Sequence, residues 1–241
     1  MAAAMLLSRM KTGAPEIFAT VQGEGTSAGV PSVFVRLAEC NLRCTWCDTK
    51  YTWDWASHDK KVETIELAID DVAERARAEA GDGVRNAVFT GGEPLLQQDE
   101  LAQLAARLKA DGFRIEVETN GTIAPTEAMS AVVDQWNVSP KLASSGNGER
   151  ARHRPTALAW FAARESAVFK IVQTAEADFA ETEELVAALG VAKDRVVLMP
   201  EGTEPGALAE RSRALADTCR KNGYRLGTRL HVFLWGQERG R

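Results

Sequence analysis

The chain has 241 residues, 45% of them hydrophobic, and a formal net charge of -5 at pH 7. This length supports one sizeable core rather than two domains, and it contains no apolar run long enough to cross a membrane. Without a block of lysine or arginine, nucleic acid is not an expected partner. Residues 1–14 do not have the order of a secretory signal, so we expect a flexible N-terminal extension on a cytoplasmic protein whose single domain spans residues 15–241.

Short stretches rich in Val, Ile and Phe alternate with helical patterns along the chain. Apolar residues recur at helical spacing from Ile65 to Val72 and from Leu101 to Leu108. Residues 177–190 and 206–223 predict two further helices, each ended by a glycine. Strands that alternate with helices form a mostly parallel sheet, which indicates an α/β fold. The predicted strands are 32–37, 86–90, 113–118, 136–139, 167–172 and 195–199.

Unusual residues follow four consecutive predicted strands. A cysteine-containing loop comes after 32–37, and "GGEP" comes after 86–90. The segments "TNG" and "SPK" follow the next two strands. Because the carboxyl ends of parallel strands meet at one edge of a sheet, we expect these segments to surround a single site.

The first of these segments holds Cys40, Cys44 and Cys47 at a C-x3-C-x2-C spacing. Three thiolates are one ligand short of a closed zinc site or of a cluster bound only by cysteine. A structural zinc ion would need Asp48 or His58 as its fourth ligand. A 4Fe–4S cluster with three protein ligands would instead leave one iron free for a small molecule, and this is the interpretation that we favour.

The cysteine spacing, with Trp46 before the last cysteine, resembles the signature of radical S-adenosylmethionine (SAM) enzymes. "TGGEP" at 90–94 is similar to the glycine-rich segment that binds the SAM amino group in that family. Glycine suits such a position because a backbone without Cβ comes closest to a ligand. The resemblance implies a partial (β/α)6 barrel with a 4Fe–4S cluster and SAM as cofactors.

Seven segments narrow the resemblance to the 7-carboxy-7-deazaguanine synthases, which act in the biosynthesis of queuosine and other 7-deazapurines. The implied reaction converts 6-carboxy-5,6,7,8-tetrahydropterin to 7-carboxy-7-deazaguanine, releases ammonia and regenerates SAM. The resemblance also implies Mg2+, a flavodoxin-like electron donor and a homodimer. The segments are "IFATVQGEG", "FVRLAECNLRCTWCDT", "YTWDW", "VFTGGEP", "ETNG", "VSPK" and "LHVFLWGQERG".

The same resemblance implies roles for individual residues, none of them a protein acid or base. Thr49 would ligate Mg2+, and Arg36 would hold the substrate carboxylate with its planar guanidinium. The cluster ligands would be Cys40, Cys44 and Cys47. The residues at SAM would be Trp46, Cys47, Asp48, Gly92, Ser139, Pro140 and Lys141. The residues at the substrate would be Val21, Gln22, Gly23, Arg36 and Thr90.

Several of these residues have structural alternatives. Arg36 lies in an apolar strand, where an ion pair is the ordinary role. Thr49 suits a turn or cap, and Lys141 suits a solvated loop. Trp53 and Trp55 alternate with Asp54, as on a half-buried strand, so we expect them to pack rather than to stack on substrate.

Five further residues carry less specific sequence signals. Glu24 is a candidate acceptor for the amino-pyrimidine edge of the pterin. Glu93 and Glu118 are read as cap or sheet-edge carboxylates. His231 lies in a predicted final strand, in a structural or a substrate-binding role, and Cys219 continues the apolar stripe of its helix, which predicts core packing.

Two other functions remain open from the sequence. A glycyl-radical-enzyme activase shares the cysteine loop and a similar glycine turn, but it needs an open groove for a protein backbone. The second is a non-enzymatic interaction module that contains zinc or a cluster, which the colour and metal content of anaerobically purified protein would distinguish. The arginine-rich segment 143–163 is open between a lid, a dimer contact and a docking patch for a redox partner.

Overall fold

The computed structural model describes residues 3–241 as a ten-stranded sheet with helices between its parallel strands. The strands, in chain order, are β1 (Ala4–Ser8), β2 (Ile17–Val21), β3 (Pro31–Leu37), β4 (Thr64–Ala68), β5 (Asn86–Gly91), β6 (Arg114–Thr119), β7 (Gln135–Val138), β8 (Ala167–Gln173), β9 (Val196–Pro200) and β10 (Arg225–Leu226). The helices are α1 (Lys60–Glu63), α2 (Ile69–Ala80), α3 (Gln98–Ala110), α4 (Glu127–Val132), α5 (Glu149–Arg152), α6 (Pro155–Ala162), α7 (Ala177–Leu189), α8 (Pro205–Asn222) and α9 (Leu230–Trp235). No helix of this part of the chain has the length and apolar character that a membrane span requires.

The strand order is β10-β9-β8-β7-β6-β5-β3-β1-β4, with β2 paired to β3 outside this path. Neighbours from β3 to β10 run parallel, whereas β1, β2 and β4 join the sheet through antiparallel pairs. Because β10 and β4 end the order without pairing to each other, the barrel is open. The prediction of an α/β fold with a partial barrel and a mostly parallel sheet is confirmed.

Alternation along the strands separates the core from a polar inner face. Val33, Val35 and Leu37 of β3 belong to the large core cluster beneath the helices. The intervening Phe34 and Arg36 line a cavity on the opposite face. The strands β5, β6 and β8 repeat this pattern, since successive side chains of a strand point to opposite faces. The inner face thereby presents Thr90, Glu118 and Lys170 to the cavity.

The prediction of a flexible extension over residues 1–14 is wrong for Ala4–Ser8, because these residues form the strand β1 between β3 and β4. Met5 and Leu7 are fully buried, because alternation directs both side chains into the core. Residues 1 and 2 of that predicted extension lie outside the described residues.

Three local predictions also differ from the structure. The helical pattern that starts at Ile65 becomes helix only from Ile69, because the backbone of β4 pairs with β1. The predicted strand around His231 is the helix α9. Trp53 and Trp55 follow a 3-10 turn at Lys50–Thr52 and lie in turns rather than in a strand.

The other predicted helices and strands agree closely with the structure. The helices α7 and α8 end at Gly190 and Gly223, each in the left-handed conformation that glycine adopts without strain. Cys219 is buried in α8 and packs into the core, which confirms its structural interpretation.

Candidate active site

A cavity of about 270 Å³ opens at the carboxyl ends of the parallel strands. It gathers side chains from the cysteine loop after β3, the glycine segment after β5 and the loop after β7. Pro140 is not among the lining residues, although Ser139 and Lys141 on either side of it are. The predicted residues in the lining are Val21, Gln22, Gly23, Arg36, Cys40, Cys44, Trp46, Cys47, Asp48, Thr49, Thr90, Gly92, Ser139 and Lys141.

Each sulfur of the cysteine loop accepts one N–H hydrogen bond. The backbone N–H of Leu42 donates to Cys40 Sγ at 3.5 Å. The indole N–H of Trp53 donates to Cys47 Sγ at 3.3 Å, and the side-chain amide of Asn147 donates to Cys44 Sγ at 3.3 Å. Such donors stabilise negative charge on sulfur and tune the potential of an iron–sulfur cluster. The donor set therefore fits thiolate ligands of a cluster.

The two side chains that could complete a structural zinc site are both paired with other residues. His58 pairs with Glu63, and Asp48 forms an ion pair with Arg229. Burial raises the pKa of the Cys40 thiol to about 12, so the thiolate needs the positive charge of bound metal.

The glycine segment packs directly on the backbone of the cysteine loop. A Cβ at Gly91 would collide with the carbonyl oxygen of Leu37, and a Cβ at Gly92 with that of Glu39. Glycine is therefore required here by the close approach of two backbones, in addition to any approach of a ligand.

Glu93 next to these glycines is fully buried and acts as a cap. It accepts hydrogen bonds from the backbone N–H groups of Leu95 at 3.0 Å and Asn120 at 2.7 Å. The hydroxyl of Thr119 adds a third at 2.9 Å. Burial raises the pKa of Glu93, and the three donors oppose that rise. Its interpretation as a structural carboxylate is confirmed.

Lys141 and Trp46 form a polar edge beside the cysteines. Lys141 donates to Ser139 Oγ at 2.7 Å, and its Nζ lies 5.4 Å from the centre of the Trp46 ring. The indole N–H of Trp46 is buried and has no hydrogen-bond partner among the described residues. A buried donor without a partner is costly, so this N–H is available to an acceptor on a bound molecule.

Arg36 combines the two roles that the sequence left open. Its Nε donates to Glu16 Oε1 at 2.7 Å, which is the ion pair expected of a charged residue in a strand. The same side chain lines the cavity. Burial lowers the pKa of Arg36, but Tyr51 and Glu16 raise it more strongly, so the guanidinium stays charged.

A row of alternating positive and negative side chains lines another part of the cavity wall. Lys170 is almost fully buried, with its Nζ 2.9 Å from Glu24 Oε2 and 2.5 Å from Glu118 Oε2. The Nε of Arg229 lies 3.1 Å from Glu24 Oε1, and Arg229 also pairs with Asp48. Burial opposes the charge of Glu24, but these cations hold its pKa well below the ordinary value.

Lys170 and Glu118 in this row of charges both have raised pKa values. The pKa of Lys170 lies above its usual range, since its two carboxylates outweigh burial. Burial raises the pKa of Glu118, and Lys170 limits that rise. Lys170 and Arg229 were not predicted from the sequence, and Glu118, interpreted there as a cap or sheet-edge carboxylate, lines the cavity. For Lys170 and Glu118 a signal existed, because each is a single charge between apolar residues of a strand.

The helix α9 closes the cavity near Gly23. The backbone N–H of Leu230 donates to Gly23 O at 2.8 Å, and a Cβ on Gly23 would collide with the ring of His231. His231 lines the cavity, so its position fits the substrate-binding interpretation. Burial lowers the pKa of His231, which keeps the imidazole neutral near pH 7.

The arginine-rich segment packs against the cysteine loop. Besides its bond to Cys44, Asn147 accepts the backbone N–H of Arg43 at 2.8 Å. The backbone N–H of Thr45 donates to Ser145 O at 3.0 Å. Arg150 and Arg154, further along the segment, are exposed. Arg43, between Cys40 and Cys44, is exposed as well, so exposed positive charge lies within the cysteine loop itself.

The family model described as the radical SAM superfamily matches residues 36–201. The chain is 40% identical over 227 residues to the 7-carboxy-7-deazaguanine synthase of Pyrobaculum aerophilum, covering 94% of this chain and 96% of that one. It is 39% identical to the enzyme of the same name from Halobacterium salinarum, with 91% and 89% covered. The crystal structure of QueE from Escherichia coli matches with a TM-score of 0.68 and 27% identity over 95% of both chains.

Proposed function

Because the chain belongs to the radical SAM superfamily and, within it, to the 7-carboxy-7-deazaguanine synthases, we propose that its cavity is the active site for that reaction. The enzyme is a radical SAM lyase of queuosine biosynthesis. It converts 6-carboxy-5,6,7,8-tetrahydropterin to 7-carboxy-7-deazaguanine and releases ammonia. The observation that carries the proposal is the convergence of the cysteine loop, the glycine segment and Arg36 on one cavity.

The enzyme uses a 4Fe–4S cluster and SAM, and we place both in the cavity. Cys40, Cys44 and Cys47 hold the cluster, supported by the N–H donor at each sulfur. When bound, the two cofactors would supply the radical chemistry of the reaction. The protein positions the reacting groups and excludes water around them.

The SAM-binding residues lie beside the cysteines. The unpartnered indole N–H of Trp46 and the ammonium of Lys141 offer donors to SAM oxygens. Asp48, Gly92 and the turn from Ser139 through Pro140 complete this side. The tight packing of the glycine segment supports a rigid SAM site.

The substrate occupies the remainder of the cavity. With Nε of Arg36 committed to Glu16, the two terminal nitrogens remain for the substrate carboxylate. Such a bidentate pair suits a guanidinium better than an ammonium. Replacing Arg36 with lysine is therefore expected to raise KM for the pterin far more than it lowers kcat, and unchanged constants would remove Arg36 from the site.

The heterocycle of the substrate lies against the other walls. Val21, Gln22 and Gly23 contact its ring, and Thr90 donates to it. Glu24, kept ionised by Lys170 and Arg229, supplies an acceptor for the amino-pyrimidine edge. The small volume and the charged lining of the cavity support a small substrate rather than the protein backbone that an activase binds.

We further propose that Thr49 ligates Mg2+. Its side chain lines the cavity next to Asp48, and Mg2+ usually keeps several waters while binding few protein ligands. The ion would orient the substrate and stabilise charge that develops during the rearrangement. Omission of Mg2+ from the assay is the direct test.

The remaining proposals concern partners and organisation. We propose a single radical SAM domain that works in the cytoplasm as a homodimer, with Leu226, Phe233 and Leu234 offering exposed apolar surface. A flavodoxin-like protein supplies the electron. Exposed positive charge near the cysteine loop supports docking of an acidic carrier there. Light scattering on the reconstituted protein tests the dimer.

The reaction itself is tested with anaerobically reconstituted protein, SAM, a reductant and 6-carboxy-5,6,7,8-tetrahydropterin, with and without Mg2+. We expect an ultraviolet-absorbing deazaguanine whose formation is faster with Mg2+. Formation of 5′-deoxyadenosine without deazaguanine would refute the substrate. A colourless protein with stoichiometric zinc would refute the cluster.

A further inference from the structure

The C-terminal segment 229–241 is attached to the rest of the protein by two arginines, each held between two carboxylates. Arg229 lies between Glu24 and Asp48 at the cavity wall. Arg239 lies outside the cavity lining, with Nε 3.2 Å from Glu16 Oε2 and Nη1 3.0 Å from Glu63 Oε2. The second attachment has no part in the proposed contacts with SAM or substrate.

Arg239 is held firmly in this place. Its side chain is 11% exposed, and its guanidinium carbon lies 3.5 Å from the centre of the Tyr51 ring. The next residue, Gly240, packs so closely on Met10 that a Cβ would collide with that side chain. The end of the chain is therefore tightly packed against the antiparallel part of the sheet.

Glu16 connects Arg239 to the cavity. Its side chain is fully buried, and its Oε1 accepts from Arg36 at 2.7 Å and from the hydroxyl of Tyr51 at 3.0 Å. Its Oε2 accepts from Arg239. One carboxylate thus binds one guanidinium through each oxygen. Because a buried carboxylate needs all its donors, loss of Arg239 would let Glu16 turn and carry Arg36 with it.

The charges lead to the same conclusion. Glu16 alone would neutralise Arg36 and weaken its attraction for an anion. Arg239, which also pairs with Glu63, binds the second oxygen of Glu16, so the negative charge of Glu16 is shared between two guanidiniums rather than directed at Arg36 alone. Charged groups at such short range in a buried setting interact strongly.

We propose that Arg239 is a positioning residue that acts through Glu16 to hold Arg36 ready for the carboxylate of the substrate. This inference rests on the proposed function in one respect, the assignment of Arg36 to the substrate carboxylate. It predicts that loss of Arg239 weakens the binding of ligands that carry a carboxylate and has little effect on the binding of ligands that lack one.

The test compares two fluorescent ligands, 6-carboxypterin and pterin, which differ by that carboxylate. Dissociation constants are measured by fluorescence titration of the reconstituted protein and its Arg239→Ala and Arg239→Lys variants. Arg220→Ala is the control, because Arg220 is 72% exposed on α8. Replacement by alanine is expected to weaken the binding of 6-carboxypterin roughly tenfold, which is the scale of a lost charged hydrogen bond. The binding of pterin is expected to weaken less than about twofold.

Replacement by lysine keeps the charge but not both hydrogen bonds, so we expect an intermediate loss. In steady-state assays the alanine variant is expected to change KM more than kcat. Equal weakening of the two ligands, or no weakening of either, would overturn the proposal.

Hydrogen exchange gives a readout that does not depend on pterin binding. The alanine variant is expected to exchange faster than the Arg220 control within 14–21 and 34–37, and equally within 196–200. If the unaltered protein binds neither pterin, the substrate assignment fails while the exchange still tests the coupling. Unchanged exchange at 14–21 and 34–37 would then overturn the role of Arg239.

Discussion

Replacing Lys170 with methionine tests whether the buried charges of the cavity wall act as one unit. Methionine keeps the approximate volume, so the change removes the charge with little repacking. Glu118 would lose its cation and keep only the side-chain amide of Gln22 at 3.2 Å. Glu24 would retain Arg229 at 3.1 Å.

Breaking a buried ion pair from one side costs about 3–5 kcal/mol, because the other charge is left without a partner. For a chain of this size we expect the apparent Tm to fall by roughly 10 °C, measured by circular dichroism at a fixed scan rate. Lys193→Met is the matched control. Its pair with Glu183 is 42% and 38% exposed, and such surface pairs contribute less than about 1 kcal/mol.

The loss should also depend on pH. Burial already raises the pKa of Glu118 above its unfolded value of 4.5, and without Lys170 it rises further. The folded state then binds the proton more tightly than the unfolded state, so stability falls as pH rises through that interval. The Tm difference should therefore be smaller at pH 5 than at pH 8. Equal losses for Lys170→Met and the Lys193 control, or no pH dependence, would refute the reasoning.

Three further changes test other parts of the site. Cys44→Ala is expected to abolish the brown colour and the activity, whereas Cys219→Ala, in the core, should retain both; equal loss would contradict the assignment of ligands. Gly92→Ala should weaken SAM binding in equilibrium dialysis, since overpacking costs about 1–3 kcal/mol. Gly83→Ala, with nothing within 4 Å of the added carbon, is its control. Arg150→Glu should slow reduction of the cluster by flavodoxin but not by dithionite. If the variant and the unaltered protein are reduced by flavodoxin at the same rate, this arginine is not part of the docking surface.

The central parallel strands were predictable because they are rich in Val, Ile and Phe and are followed by glycine, cysteine or polar turns. The strand β1 was missed because "AMLLS" is short and gains its strand character only by pairing with β3 and β4. The strand β4 was missed for a related reason, since "TIELA" continues the helical spacing of α2.

The site residues also fall into a group that the sequence predicts and a group that it does not. Residues next to strand ends could be predicted, since local order in the sequence places them at one edge of the sheet. Arg229 and Arg239 could not be predicted, because their carboxylate partners lie 176 to 223 positions away along the chain. Only the folded C-terminal segment brings these charges to the cavity.

The hydrogen bond from Asn147 to Cys44 has a consequence for how the enzyme matures. The amide lies 103 positions after the sulfur that it serves, so a ribosome exposes the three thiols long before it makes this partner. Iron and sulfide delivered to the nascent chain would meet an unfinished binding loop. Assembly of the metallocentre is therefore expected to follow synthesis of Asn147, when its amide can fold against the cysteine loop.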